Sequence, residues 1–158
     1  MEQDLRKRLD DVLSGKGAHI GFEEVLKNYP AEFRGRKHPA MPYTAWQLLE
    51  HLRIAQWDIV EFSINPEHES PDWPEGYWPG EEDPPSETGW QESVDQFFSD
   101  LDRIRELVKD PETDLHQRIP HGSGQNILRE ALLVADHNSY HLGQLVMLKK
   151  ILQAEQGK

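Results

Sequence analysis

The strongest constraint on the fold is the long apolar stripe that closes the chain. Ile127, Ala131, Val134, Leu145, Leu148 and Leu152 fall on one helical face, so the segment reads as a single helix to about residue 155. The two central places on that stripe are not apolar. They are His137 and His141, four residues apart and therefore one turn above one another on the same face.

Three other long patterns precede it. Leu5, Leu9, Val12 and Leu13 mark a helix over 2–13, interrupted by Gly15 and Gly17. A short piece carries Phe22, Val25, Leu26 and Tyr29 and closes at Pro30. After a loop over 31–43, Thr44 with Gln47 three residues on forms a capping-box pattern. The helix it opens carries Leu48, Leu52, Ala55, Ile59 and Phe62 and stops before Pro66. Thr88 with Gln91 makes a second such pattern, opening a helix with Val94, Phe97, Phe98, Leu101, Ile104, Leu107 and Val108 that runs to Asp110–Pro111. Ser123 is the expected N-cap of the last helix. With no convincing strand and no repeat, each amphipathic helix must bury its stripe against the others. The expectation is one all-α domain over 1–158, a four-helix bundle. Long connections after the first two helices allow a non-sequential order.

Residues 66–86 hold six of the eleven prolines together with Trp73, Tyr77 and Trp78. So many large aromatics favour an ordered loop, of the kind that forms lids or pocket walls.

The net charge of −12 repels phosphate backbones and anionic headgroups, so neither nucleic acid nor a membrane is an expected partner. No cysteine is present, which removes disulfides, thiolate ligands and a cysteine nucleophile. The charged N-terminus has no apolar core of a signal peptide, and no apolar run approaches ~20 residues. A cytoplasmic chain is the expectation.

Imidazoles in the middle of an apolar stripe need partners, because an unpaired buried polar group costs roughly 1–3 kcal/mol. A shared metal ion satisfies both rings, and His51, mid-helix beside the stripe of the second long helix, is a third ligand candidate. Three neutral imidazoles suit zinc, nickel, copper or iron, with a coordination position left open. The competing reading is three buried, hydrogen-bonded histidines. Asn138 stands where a zinc-protease motif needs its glutamate, which argues against a protease.

The stretches LLEHLRIAQWDIVEF around His51 and REALLVADHNSYHLGQLVMLKK around His137 and His141 resemble the DinB-like family over roughly residues 2–152. That resemblance implies a DinB/YfiT-like bundle in up-down-down-up order and a metal triad of His51, His137 and His141. It also implies nickel or zinc as the divalent metal ion and a homodimer. Some relatives are transferases or isomerases that use low-molecular-weight thiols, so the implied activity is a metal-dependent enzyme acting on a small molecule, a thiol-dependent transferase or a hydrolase. The alternatives are a metal- or ligand-binding bundle without turnover and an interaction domain whose histidines are structural.

Other residues carry weaker expectations. Asp58 could accept from a ligand histidine, although a salt-bridged carboxylate is the plainer reading. His121 precedes the last helix, where an anion would be favoured, against an ordinary loop histidine. Asp136 should face solvent or bond to a loop. Trp46 suits the bundle end, and Trp73, Tyr77, Trp78 and Trp90 suit either pocket walls or packing. Glu81, Glu82 and Asp83 lack calcium-loop spacing.

Overall fold

The computed structural model describes residues 1–157. The helical patterns become α1 (Glu2–Leu13), α2 (Phe22–Leu26), α3 (Ala45–Ile64), α4 (Glu87–Lys109) and α5 (Ile127–Gln156). Short 3₁₀ turns at Ala31–Phe33 and Glu75–Tyr77 punctuate the connections. Among the described residues there is no strand, only an isolated bridge between Arg118 and Asn126. No helix among them is long and apolar enough to cross a membrane.

Local chemistry sets where the helices start. Thr44 caps α3 as expected: its Oγ1 accepts from the Gln47 N–H at 3.3 Å, and Gln47 Oε1 accepts from the Thr44 N–H at 3.1 Å. The next two starts differ from expectation. α4 is capped by Ser86, whose Oγ accepts from the Gly89 N–H at 3.0 Å, while Thr88 lies within the first turn. Pro84 and Pro85 keep the preceding chain out of helix, and Ser86 is the first residue after them able to cap. α5 is capped by Asn126, whose Oδ1 accepts from the Arg129 N–H at 2.9 Å. Ser123 cannot hold that place, because Gly124 behind it has φ +134°, outside any helical turn.

Side-chain contacts give the helix directions. Arg105 Nε reaches Asp10 at 2.7 Å and Arg6 Nη1 reaches the Val108 carbonyl at 2.9 Å, so α1 and α4 are antiparallel. Ser93 donates to Glu50 at 2.6 Å, Gln56 to the Phe97 carbonyl at 2.6 Å, and Arg103 to Glu61 at 2.7 Å. The numbers rise together, so α3 and α4 are parallel. α5 runs against α3: Asn138 meets Gln56, and His51 lies between His137 and His141. The order is up-down-down-up. The four long helices enclose a core that includes Leu48, Leu52, Phe97, Ile104, Val134, Leu145 and Leu148. Each such side chain contributes about 1.5–3 kcal/mol when fully buried.

Two parallel neighbours cannot be joined by a tight turn. The connection from α3 to α4 must return along the 20-residue α3, about 30 Å. It does so in contact with that helix. His68 Nε2 sits 2.7 Å from Asp58 Oδ1, the Tyr77 hydroxyl donates to Asp58 Oδ2 at 2.6 Å, and Thr44 Oγ1 donates to the Glu82 carbonyl at 2.7 Å. The Pro- and Trp-rich segment is thus an ordered crossover laid over α3, and His51 lies beneath it.

Candidate metal centre

His51 comes from the middle of α3, and His137 and His141 from consecutive turns of α5. The antiparallel packing brings the three rings together, with centroids 4.9, 4.7 and 4.6 Å apart. Their potential ligand nitrogens all lie within 4.8 Å of one another, the geometry of a group that could hold a metal ion. His51 and His141 are buried and His137 is half-buried.

Hydrogen bonding orients these rings. His51 Nδ1 lies 2.9 Å from the Tyr77 carbonyl oxygen. A carbonyl only accepts, so Nδ1 carries the proton and Nε2 keeps its lone pair. His141 Nδ1 lies 2.6 Å from Gln144 Oε1, which fixes the same tautomer. His137 Nε2 lies 3.0 Å from His51 Nε2, so without an ion His137 Nε2 donates to the His51 lone pair. Ligands at 2.0–2.1 Å around a tetrahedral ion stand ~3.3 Å apart, so this pair is spaced for one cation between them.

Electrostatics favours the ligand form. Burial, followed by repulsion from the neighbouring imidazoles, pushes His137 down to about 4. Burial pushes His51 down to about 4 as well, with the Tyr77 carbonyl partly opposing it. His141 is also lowered by burial, and its bond to Gln144 works the other way. All three are therefore neutral at pH 7, the protonation state that binds metals.

The crossover supplies a roof. The Trp78 ring stacks on His51 at 3.8 Å and 3° between planes, and Tyr43 stacks on Trp78 at 3.8 Å. This three-ring pile restricts rotation of His51 and keeps water from its face. Asp58 does not touch a triad histidine. It holds Tyr77 and His68, and so fixes the segment whose carbonyl takes the His51 proton.

Several other residues lie away from the triad. His121 Nε2 bonds the Phe62 carbonyl at 2.7 Å, which accounts for it without an anion. Trp90 is core, beneath Arg34 and beside Tyr29. Trp46 is buried, Trp73 is largely exposed against Tyr77, and Asp136 faces solvent. Glu81, Glu82 and Asp83 are exposed. Tyr43, Gln144 and the Tyr77 carbonyl were not legible as site components. Only Gln144 had a usable signal, three residues beyond His141 on one helical face.

The family model described as DinB superfamily matches residues 21–145, which include all three histidines. The chain belongs to the DinB superfamily. No curated protein and no solved structure matches it. For this DinB-superfamily chain the matched segment takes in α2 to α4 and most of α5.

Proposed function

We propose that the chain binds one divalent metal ion, nickel or zinc, through His51, His137 and His141, and uses it to act on a small molecule as a transferase or hydrolase. The observation that carries this reading is the convergence of three neutral imidazoles, two of them fixed with Nδ1 protonated. Three protein ligands leave a coordination position open, as catalytic sites do and closed structural sites do not. A divalent ion there supplies Lewis acidity and lowers the pKa of a bound thiol or water. The chain's own part is to orient the donors through Tyr77 and Gln144 and to shield His51 with Trp78 and Tyr43.

A low-molecular-weight thiol is the proposed cosubstrate, as the thiol-using relatives suggest, and the lack of cysteine in the chain is compatible with a nucleophile supplied from outside. The exposed outer stripe of α5, Leu132, Tyr140 and Met147, with Gly143 open to solvent, supports a homodimer. A cytoplasmic setting is part of the same proposal.

Elemental analysis of the purified protein beside His137→Ala tests the metal reading. About one metal per chain, lost in the variant, is expected. No metal after incubation with zinc or nickel would sink it. For the thiol, the visible spectrum of the cobalt-substituted protein should change on adding millimolar thiol, and an unchanged spectrum would remove the transferase reading.

A second reading, metal binding without turnover, draws on the stacked roof over His51. A surface groove of about 930 Å³ lies elsewhere and is lined by Phe22, Lys27, Phe98 and Arg105 among others, with no triad residue.

A further inference from the structure

Of the three triad histidines, two have an acceptor for Nδ1 that is plain in the hydrogen-bond geometry. His137 does not, and beside it in sequence is a polar atom that needs a partner. Asn138 is 3% exposed, and its Oδ1 is buried without a hydrogen bond. An acceptor left bare in the interior costs about 1–3 kcal/mol, so it calls for a donor.

The orientation of this amide follows from a chain of forced choices. The Phe97 carbonyl can only accept, so the group of Gln56 at 2.6 Å from it is the NH2. That turns Gln56 Oε1 toward Asn138, at 2.8 Å, and an oxygen there requires the Asn138 NH2. Asn138 Oδ1 is what remains. Flipping either amide sets two acceptors against each other. The relay ties α4 to α3 to α5 through two side chains almost wholly buried.

We infer that Asn138, locked by Gln56, is the positioning residue for His137: its Oδ1 accepts from His137 Nδ1–H and so keeps the Nε2 lone pair turned toward the ion shared with His51 and His141. The three rings then share one arrangement, each Nδ1 proton held by a neutral oxygen: a backbone carbonyl for His51 and side-chain amides for His137 and His141. Acceptors of this kind fix the tautomer and orientation of a ligand imidazole, and their loss typically costs 10–100-fold in metal affinity. This inference rests on the metal-binding reading.

The test is zinc affinity by chelator competition, with thermal melting of the metal-free proteins, for wild type, Asn138→Leu, Asn138→Asp and Gln56→Leu. Asn138→Leu removes the acceptor and should weaken zinc about 10–100-fold. Asn138→Asp keeps an acceptor for His137 but gives up the donor to Gln56. It should melt earlier than wild type yet hold zinc within a few-fold of it. Gln56→Leu leaves the acceptor but unlocks it, and should show the smaller affinity loss. In the zinc-loaded wild type, NMR should show a slowly exchanging His137 Nδ1–H that Asn138→Leu loses.

If affinity instead falls in step with melting temperature across all three variants, Asn138 is a core amide only and the inference is overturned. Should Asn138→Leu fail to fold, the divergence between affinity and melting in Asn138→Asp and Gln56→Leu still decides. If the wild type takes up no zinc, the inference falls together with the metal-binding reading. Zinc uptake that is unchanged in Asn138→Leu overturns the inference alone.

Discussion

The seam between α3 and α5 and the rim of the bundle both use histidine, in opposite ways. At the rim, His38 Nε2 meets Glu155 at 3.0 Å, His68 Nε2 meets Asp58 at 2.7 Å, and His121 Nε2 meets the Phe62 carbonyl at 2.7 Å. Each of these rings spends Nε2 on an oxygen and pins a connection or a chain end to a helix. In the seam, His51 and His141 spend Nδ1 on an oxygen, and His51 turns Nε2 toward His137. The same side chain closes a contact in one region and leaves a cluster of lone pairs in the other. Position decides which: rim histidines follow or precede prolines and turns, and seam histidines replace apolar residues on helix faces.

The comparison breaks most sharply with substitutions of the seam. His51→Ala or His141→Ala should bring bound zinc from about one per chain to near none. The variant should also lose the stabilisation that zinc gives the wild type, about 2.7 kcal/mol at a free concentration of 100 Kd, and with it the rise in melting temperature. Plasma emission spectrometry and calorimetry measure the two effects. A variant that keeps its zinc would show that the seam histidines are structural, like those of the rim.

Acid is the next probe. An unfolded imidazole titrates near 6.5, whereas His51 and His137 in the fold are held down to about 4. As pH falls the unfolded chain takes up these protons first. The stability tied to the neutral rings is complete above about 6.5 and drains as pH falls from there toward 4. Melting of the metal-free protein across that window should show the loss, and a double variant with leucine at 51 and 137 should show a shallower one.

Asp58→Asn sits between the two regions and should act more weakly. It turns one accepting oxygen of the Tyr77 and His68 pair into a donor and costs about 1–3 kcal/mol. Zinc affinity should fall by up to about tenfold, through the Tyr77 carbonyl rather than through a ligand. A melting loss with zinc affinity unmoved would show that the crossover does not steady His51. The smallest effect belongs to His121→Ala. It should leave zinc content unchanged and shift stability by about 0.5 kcal/mol at most, as exposed positions do.

The helices and the triad were legible because both rest on periodicity. An apolar stripe fixes a buried face, and a histidine inside it is conspicuous. Helix starts were less legible. Ser86 and Thr88, or Ser123 and Asn126, are equally good caps by residue type, and the choice fell to Pro84–Pro85 and Gly124 nearby. The support of the site was not legible for a different reason. The Tyr77 carbonyl is a backbone atom 26 residues from His51, and an acceptor of that kind carries no mark in its side chain. Trp78 and Tyr43 were visible only as aromatics in loops. Asn138 drew notice as the residue that spoils a protease motif, and its amide became informative only once Gln56 and Phe97 were placed around it.

The parallel run of α3 and α4 has a consequence for the support of the site. A chain that must travel the whole length of a helix to begin the next one brings a long, externally applied segment past the centre of the molecule. Its ends are anchored at Asp58 and Thr44, and its reach is set by the helix beneath it. The stretch between those anchors carries Tyr77 and Trp78, which hold and cover His51. A single connection, lying outside the helical core, therefore bears directly on how His51 is held.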